Sequence, residues 1–127
     1  MGAPLQELCA HPEDPDRVIF SEYHAVGAVS GAFMIRKGHY KLIHYEGFAP
    51  ELFDLVADPE ETRNLADDSA MASVRDDLYS ELKAICQPAE VDMRAHADQA
   101  ALVEGYGGFE VAKTMGARAA TPPPEIT

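Results

Sequence analysis

Two apolar-rich runs, AFMIRK at 32–37 and YKLIHY at 40–45, are separated only by Gly38 and His39. So short a connection leaves essentially one way to pair the runs, and glycine in the first turn position suits a type II′ hairpin. The turn predicts Lys37 opposite Tyr40, Ile35 opposite Leu42 and Phe33 opposite His44 on one face. Arg36 then opposes Lys41, Met34 opposes Ile43 and Ala32 opposes Tyr45 on the other. Apolar side chains occur on both faces, so both are expected to be covered. Arg36 beside Lys41 places like charges together, which calls for an anion or a carboxylate between them.

The flanking sequence extends this hairpin into a sheet. Residues 18–24, with Val18, Ile19, Phe20 and Tyr23, read as a strand. The small, glycine-punctuated AVGAVSG at 25–31 reads as a connection, one that either tightens the link or lets another segment approach the backbone closely. After a turn at 47–50, Leu52, Phe53 and Leu55 mark a short fourth strand over 51–56. Four strands at hairpin-like separations predict an antiparallel sheet. The polar stretch 57–68 is turn-forming: Asp58-Pro59 starts a turn and Asn64 tolerates a left-handed backbone. Asp68 or Ser69 can cap the next helix, whose stripe is Met71, Val74, Leu78, Leu82 and Ile85. Pro88 stops that helix and opens a second over 89–104, with a further turn or two of helix after the glycines at 105–108.

The predicted fold class is therefore α+β: a small four-stranded antiparallel sheet packed with a C-terminal helix, then further helix and an extended proline-rich tail. In segments, 1–16 is a linker or chain entry interrupted by prolines, 17–87 the α+β unit, 88–115 a helical extension and 116–127 the tail.

Twenty-two acidic residues against ten basic ones, a formal charge of −12, argue against nucleic acid and anionic membrane as partners. No apolar run approaches the roughly 20 residues that span a bilayer, and 1–12 lacks the basic start and apolar stretch of a signal peptide. A cytoplasmic location is the expectation. Cys9 and Cys86 lie far apart without ligand-like spacing, so two free thiols are expected rather than a disulfide.

Chemistry-bearing patterns are few. There is no GxSxG, no phosphate-binding glycine loop and no HExxH. His24, His39 and His44 lie near Glu22, Glu46 and Asp54, but strand alternation sends His39 and His44 to opposite faces, whereas metal ligands converge. Glu22-Tyr23-His24 is the most reactive-looking triplet, and it reads equally as a strand end bonded within the sheet. Arg36, Lys37 and Lys41 form a basic cluster that fits an anion or pairs with Glu60-Glu61 or Asp67-Asp68.

SEYHA at 21–25, FMIRKGHYKLIHY at 33–45, ELFDL at 51–55 and DPEETRNLAD at 58–67 together resemble the C-terminal subdomain of sulfatases, of the alkaline-phosphatase-like superfamily. The order and spacing match from Arg17 to about Ile85. The later part, with Gln99, Gly107-Gly108 and Thr121-Pro122-Pro123-Pro124, resembles the choline-sulfatase-like subgroup more loosely. The resemblance implies a small sheet and helix packed on a large catalytic domain, which holds calcium and a formylglycine made from Cys in a CxPxR motif. None of that domain is recognisable here. Cys86-Gln87-Pro88-Ala89-Glu90 carries Glu90 where the motif needs Arg, so no catalytic or metal-binding residue carries over and no cofactor is expected in this chain. The expected partner is a sulfatase catalytic domain, or a second copy of the chain. Tyr23, His24 and Arg36 are the residues expected to form one wall of a substrate pocket. A non-catalytic interaction module using the sheet face and tail is the alternative.

Overall fold

The computed structural model describes residues 4–10, 12, 14–24 and 28–114. A short helix, α1 (Leu5–Cys9), precedes strands β1 (Val18–Tyr23), β2 (Ala32–Lys37), β3 (Tyr40–Tyr45) and β4 (Glu51–Asp54). The strands form one antiparallel sheet in sequence order. A 3-10 turn (Ser69–Met71) leads into α2 (Ala72–Ile85), followed by α3 (Pro88–Gly105) and α4 (Phe109–Ala112). The chain divides into two compact units, residues 1–92 and 93–127, with the division inside α3. The proline-rich tail predicted over 116–127 lies outside the described residues. No helix among the described residues is long and apolar enough to cross a membrane.

The hairpin has the register its turn demands. Lys37 pairs with Tyr40, Ile35 with Leu42, Phe33 with His44, and Arg36 with Lys41. Gly38 adopts φ +57° while His39 stays out of the positive-φ region, the combination a type II′ turn requires. β1 joins the other side of β2, with Phe20 opposite Ile35 and Ile19 opposite Arg36.

The two faces fare differently. Phe33, Ile35, Leu42 and Leu52 are fully buried, and Ile35, Leu42 and Leu52 pack with Leu78 of α2 and with Ala66. Burial of such a side chain stabilises the fold by about 1.5–3 kcal/mol. Val74 and Met71 from the predicted stripe join this core and Leu82 is buried, whereas Ile85 in the last turn is 49% exposed. The opposite face is more open. Ile19 and Tyr23 remain 38% and 54% exposed there, and Met34, Ile43 and Tyr45 are only half-buried. One helix covers one face of a sheet, and α2 lies on the side of Ile35 and Leu42. Phe53 is the exception on the outer face, buried where Lys41 extends over its ring to meet Glu61.

The acidic turn closes the β4 end of the sheet through Asn64. Its side-chain carbonyl accepts from Leu52 N at 3.0 Å and Ala66 N at 2.9 Å, and its amide donates to Pro50 O. Arg75 Nη1 donates to Ala66 O at 2.8 Å, tying α2 to the same turn. Asp68 caps the 3-10 turn by accepting from Ala70 N. In the second unit, α3 ends in a Schellman arrangement. Gly108 N donates to Val103 O and Gly107 N to Glu104 O, with both glycines at positive φ.

Candidate functional site

Alternation along β1 sends Glu22 and His24 toward the helix-covered side and Tyr23 toward the outer face. At this end of the sheet four rings lie in a row across β1, β2, β3 and α2. The His24 and Phe33 rings meet edge to face at 5.3 Å, Phe33 and His44 stand 6.1 Å apart, and His44 and Tyr79 meet edge to face at 5.7 Å. Each histidine has a carboxylate beside it: His24 Nε2 lies 3.8 Å from Glu22, and His44 Nε2 3.2 Å from Glu46. His44 Nδ1 is 3.4 Å from the Tyr79 hydroxyl, and burial pushes the Tyr79 pKa up. A shallow cleft of about 380 Å³ opens beside this row, lined by His44, Glu46, Tyr79, Lys83 and Glu90 among others.

The backbone is close-packed at the same place. Gly31 is buried, and a Cβ there would stand 2.7 Å from His24 Cε1 and 2.9 Å from Phe33 Cε2. Gly31 N donates to Asp92 Oδ1, and Gly31 O accepts from Glu46 N at 3.0 Å. Asp92 did not stand out in the sequence, whereas Gly31 ends the segment read there as a connection or a close backbone approach. The signal available was a single glycine just before the strand, which marks a close approach as readily as a loop.

The three predicted wall residues are spread along the sheet. Tyr23 pairs with Ala32, and Arg36 lies four residues along β2 on the same outer face, roughly 13 Å away at the usual strand rise. Arg36 Nε donates to Gly38 O at 3.2 Å, so this residue belongs to the hairpin end. The basic cluster also divides. Lys41 meets Glu61 on the outer face, one of the carboxylates the sequence offered. Lys37 reaches across to α2, 2.6 Å from Glu81 and 3.1 Å from Asp77, and these hydrogen bonds raise its pKa.

No three His, Cys, Asp or Glu side chains among the described residues converge as metal ligands would. Cys86 sits in extended backbone at the end of α2, with burial and then the nearby Glu22 charge pushing its thiol pKa up, the reverse of an activated nucleophile. Both cysteines are free.

Residues 13–88 match the family described as N-sulphoglucosamine sulphohydrolase, C-terminal. The chain is 33% identical over 81 residues to arylsulfatase K of Mus musculus, covering 61% of this chain and 14% of that protein. It is 35% identical over 96 residues to arylsulfatase K of Danio rerio, covering 72% and 18%. Among solved structures, a protein assigned as a sulfatase from Bacteroides thetaiotaomicron VPI-5482 superposes with a TM-score of 0.50 at 28% identity, over 69% of this chain and 18% of that one. BT4656, solved in complex with its substrate D-glucosamine-2-N,6-O-disulfate, superposes with a TM-score of 0.50 at 26% identity, over 58% and 16%. The chain thus spans less than a fifth of the length of these relatives. Its sheet, its α2 helix and the turn held by Asn64 all fall within the matched region, and the chain belongs to the family of sulfatase C-terminal domains.

Proposed function

We propose that this chain acts as the C-terminal part of a sulfuric ester hydrolase, docking on a catalytic domain that supplies the nucleophile and the metal. The observation that carries this reading is the outer face of the sheet. Ile19, Met34, Ile43, Tyr23 and Tyr45 lie there exposed or half-buried, while α2 occupies the other side. A sheet with apolar side chains on both faces and a helix on one is a surface for a further layer. The catalytic domain is that layer, and contacts between copies of the chain use the same face where it is free.

On this reading the Tyr23 and His24 end of β1 forms one wall of the substrate pocket. Arg36 faces the docked domain from the hairpin end. Calcium and formylglycine belong to the catalytic domain, so this chain contributes packing and substrate contact, and bond cleavage happens elsewhere.

The test is sulfate-ester hydrolysis with calcium present, by the chain alone and by the chain with a sulfatase catalytic domain supplied in trans, alongside solution mass. The expected result is no turnover by the chain alone, with a stable complex and turnover on mixing. Turnover by the chain alone would overturn the proposal. A defined oligomer that ignores the catalytic domain would instead favour an interaction module built on the same face.

A further inference from the structure

Asp92 lies in the second turn of α3, 61 residues along the chain from Gly31, whose backbone N–H it accepts. From the other side, Glu46 N donates to Gly31 O at 3.0 Å. Both polar groups of this buried residue are therefore held, one from α3 and one from the turn after β3. The bare Cα of Gly31 is the floor on which the His24 imidazole rests, since a single added carbon would sit 2.7 Å from Cε1. The Phe33 ring closes a second side, edge to face at 5.3 Å, and Glu22 stands 3.8 Å from Nε2. Contacts this tight leave a planar ring few orientations, so the position of Gly31 sets the direction in which His24 points. A carboxylate suits the task because hydrogen bonds to an ionised acceptor are short and strong.

We infer that Asp92 is a positioning residue for His24, acting through the Gly31 N–H it holds. The inference rests on the reading of His24 as part of a substrate-pocket wall, and it names what keeps that wall in place. Without the carboxylate a buried N–H loses its acceptor, Gly31 shifts to find another, and the imidazole leaves its contact with the Phe33 ring.

The test is the imidazole carbon–proton spectrum of the full chain at one fixed pH, with the His24 resonance assigned from His24→Gln. Packed against the Phe33 ring, the His24 signal carries a ring-current displacement. In Asp92→Ala this signal is expected to move toward the value of an unpacked histidine, while His39 at the hairpin turn stays in place. Asp92→Asn keeps an acceptor oxygen and is expected to restore the wild-type position, which a loss of general stability would not do. An unmoved His24 signal in Asp92→Ala overturns the inference, and so does an equal displacement of His39. Should Asp92→Ala fail to fold, Asp92→Ser is read by the same criteria. The spectra need no catalytic domain, so failure of complex formation would defeat the proposed function and leave this inference standing.

Discussion

The side-chain carbonyl of Asn64 accepts the backbone N–H of Leu52 at 3.0 Å, and Leu65 N donates back to Leu52 O at 2.8 Å. β4 is an edge strand, and edges leave ladder groups unpaired. Here a turn twelve residues on supplies the partners. The same Asn64 oxygen accepts from Ala66 N, so one amide closes the sheet and shapes the turn.

Asn64→Ala removes the acceptor for two backbone N–H groups, both belonging to buried residues. The expected loss is about 2–3 kcal/mol of stability, since unsatisfied donors cost more than a hydrogen bond contributes. Urea denaturation of the variant against the wild type measures it. A loss below half a kcal/mol would mean that water replaces the amide.

Gly31→Ala places a methyl group against His24 Cε1 and Phe33 Cε2 at distances neither ring can accept. We expect a loss of about 1–3 kcal/mol, typical of overpacking, together with displacement of His24. Thermal melts give the first and imidazole spectra the second. Wild-type values in both would show that the rings yield freely.

Alkaline pH tests the Lys37 bridge. Its hydrogen bonds to Glu81 and then Asp77 raise the folded pKa above the ordinary lysine value. A raised folded pKa for a base gives stability that is fully present below the unfolded value and is lost as pH rises through the folded one, above about pH 10. Tyr45 and Tyr79, whose pKa values burial also raises, lose stability in the same range. The difference between wild type and Lys37→Gln isolates the lysine. Melting temperatures from pH 7 to 11 should converge at the alkaline end, and a constant gap would rule out a charge-dependent bridge.

Acid tests the turn. Hydrogen bonding from Arg63 N, and then from Thr62, holds the Asp58 carboxyl below the usual range. A depressed pKa for an acid gives stability present above the unfolded value and lost as pH falls through the folded one, below about pH 4. Asp58→Asn should therefore show a shallower decline between pH 5 and 2. Parallel curves would place the acid sensitivity in other carboxylates.

Ile43→Glu on the outer face tests the docking surface. Ile43 is half-buried in the free chain, so the substitution should cost the fold only about 1 kcal/mol. Binding to a catalytic domain should weaken at least about tenfold, since apolar anchors dominate interfaces. Titration calorimetry reads the change, and unaltered affinity would move the interface off this face.

The register of the hairpin was legible from residues 32–45 alone, because a two-residue turn with glycine first admits only one pairing. The helix stripe through Leu78 and Leu82 was legible as well, since periodicity at three and four residues marks one face whatever it packs against. The sulfatase motifs ELFDL and DPEETRNLAD were legible by resemblance, but the role of Asn64 was not: its residue type pointed to a left-handed backbone, which Glu61 adopts instead, while the Asn64 side chain closes the β4 edge. Tertiary structure alone decided the rest. Met34 and Ile43 are as apolar as Ile35 and Leu42, so nothing local says which side α2 covers. Arg36, Lys37 and Lys41 are neighbours in sequence, yet alternation and the place of α2 send Lys37 to Asp77 and Glu81, and Lys41 to Glu61. Asp92 meets Gly31 only after the sheet, α2 and the start of α3 have assembled. Contacts within a turn or along a face follow from local geometry, whereas contacts between distant segments depend on how whole elements stack.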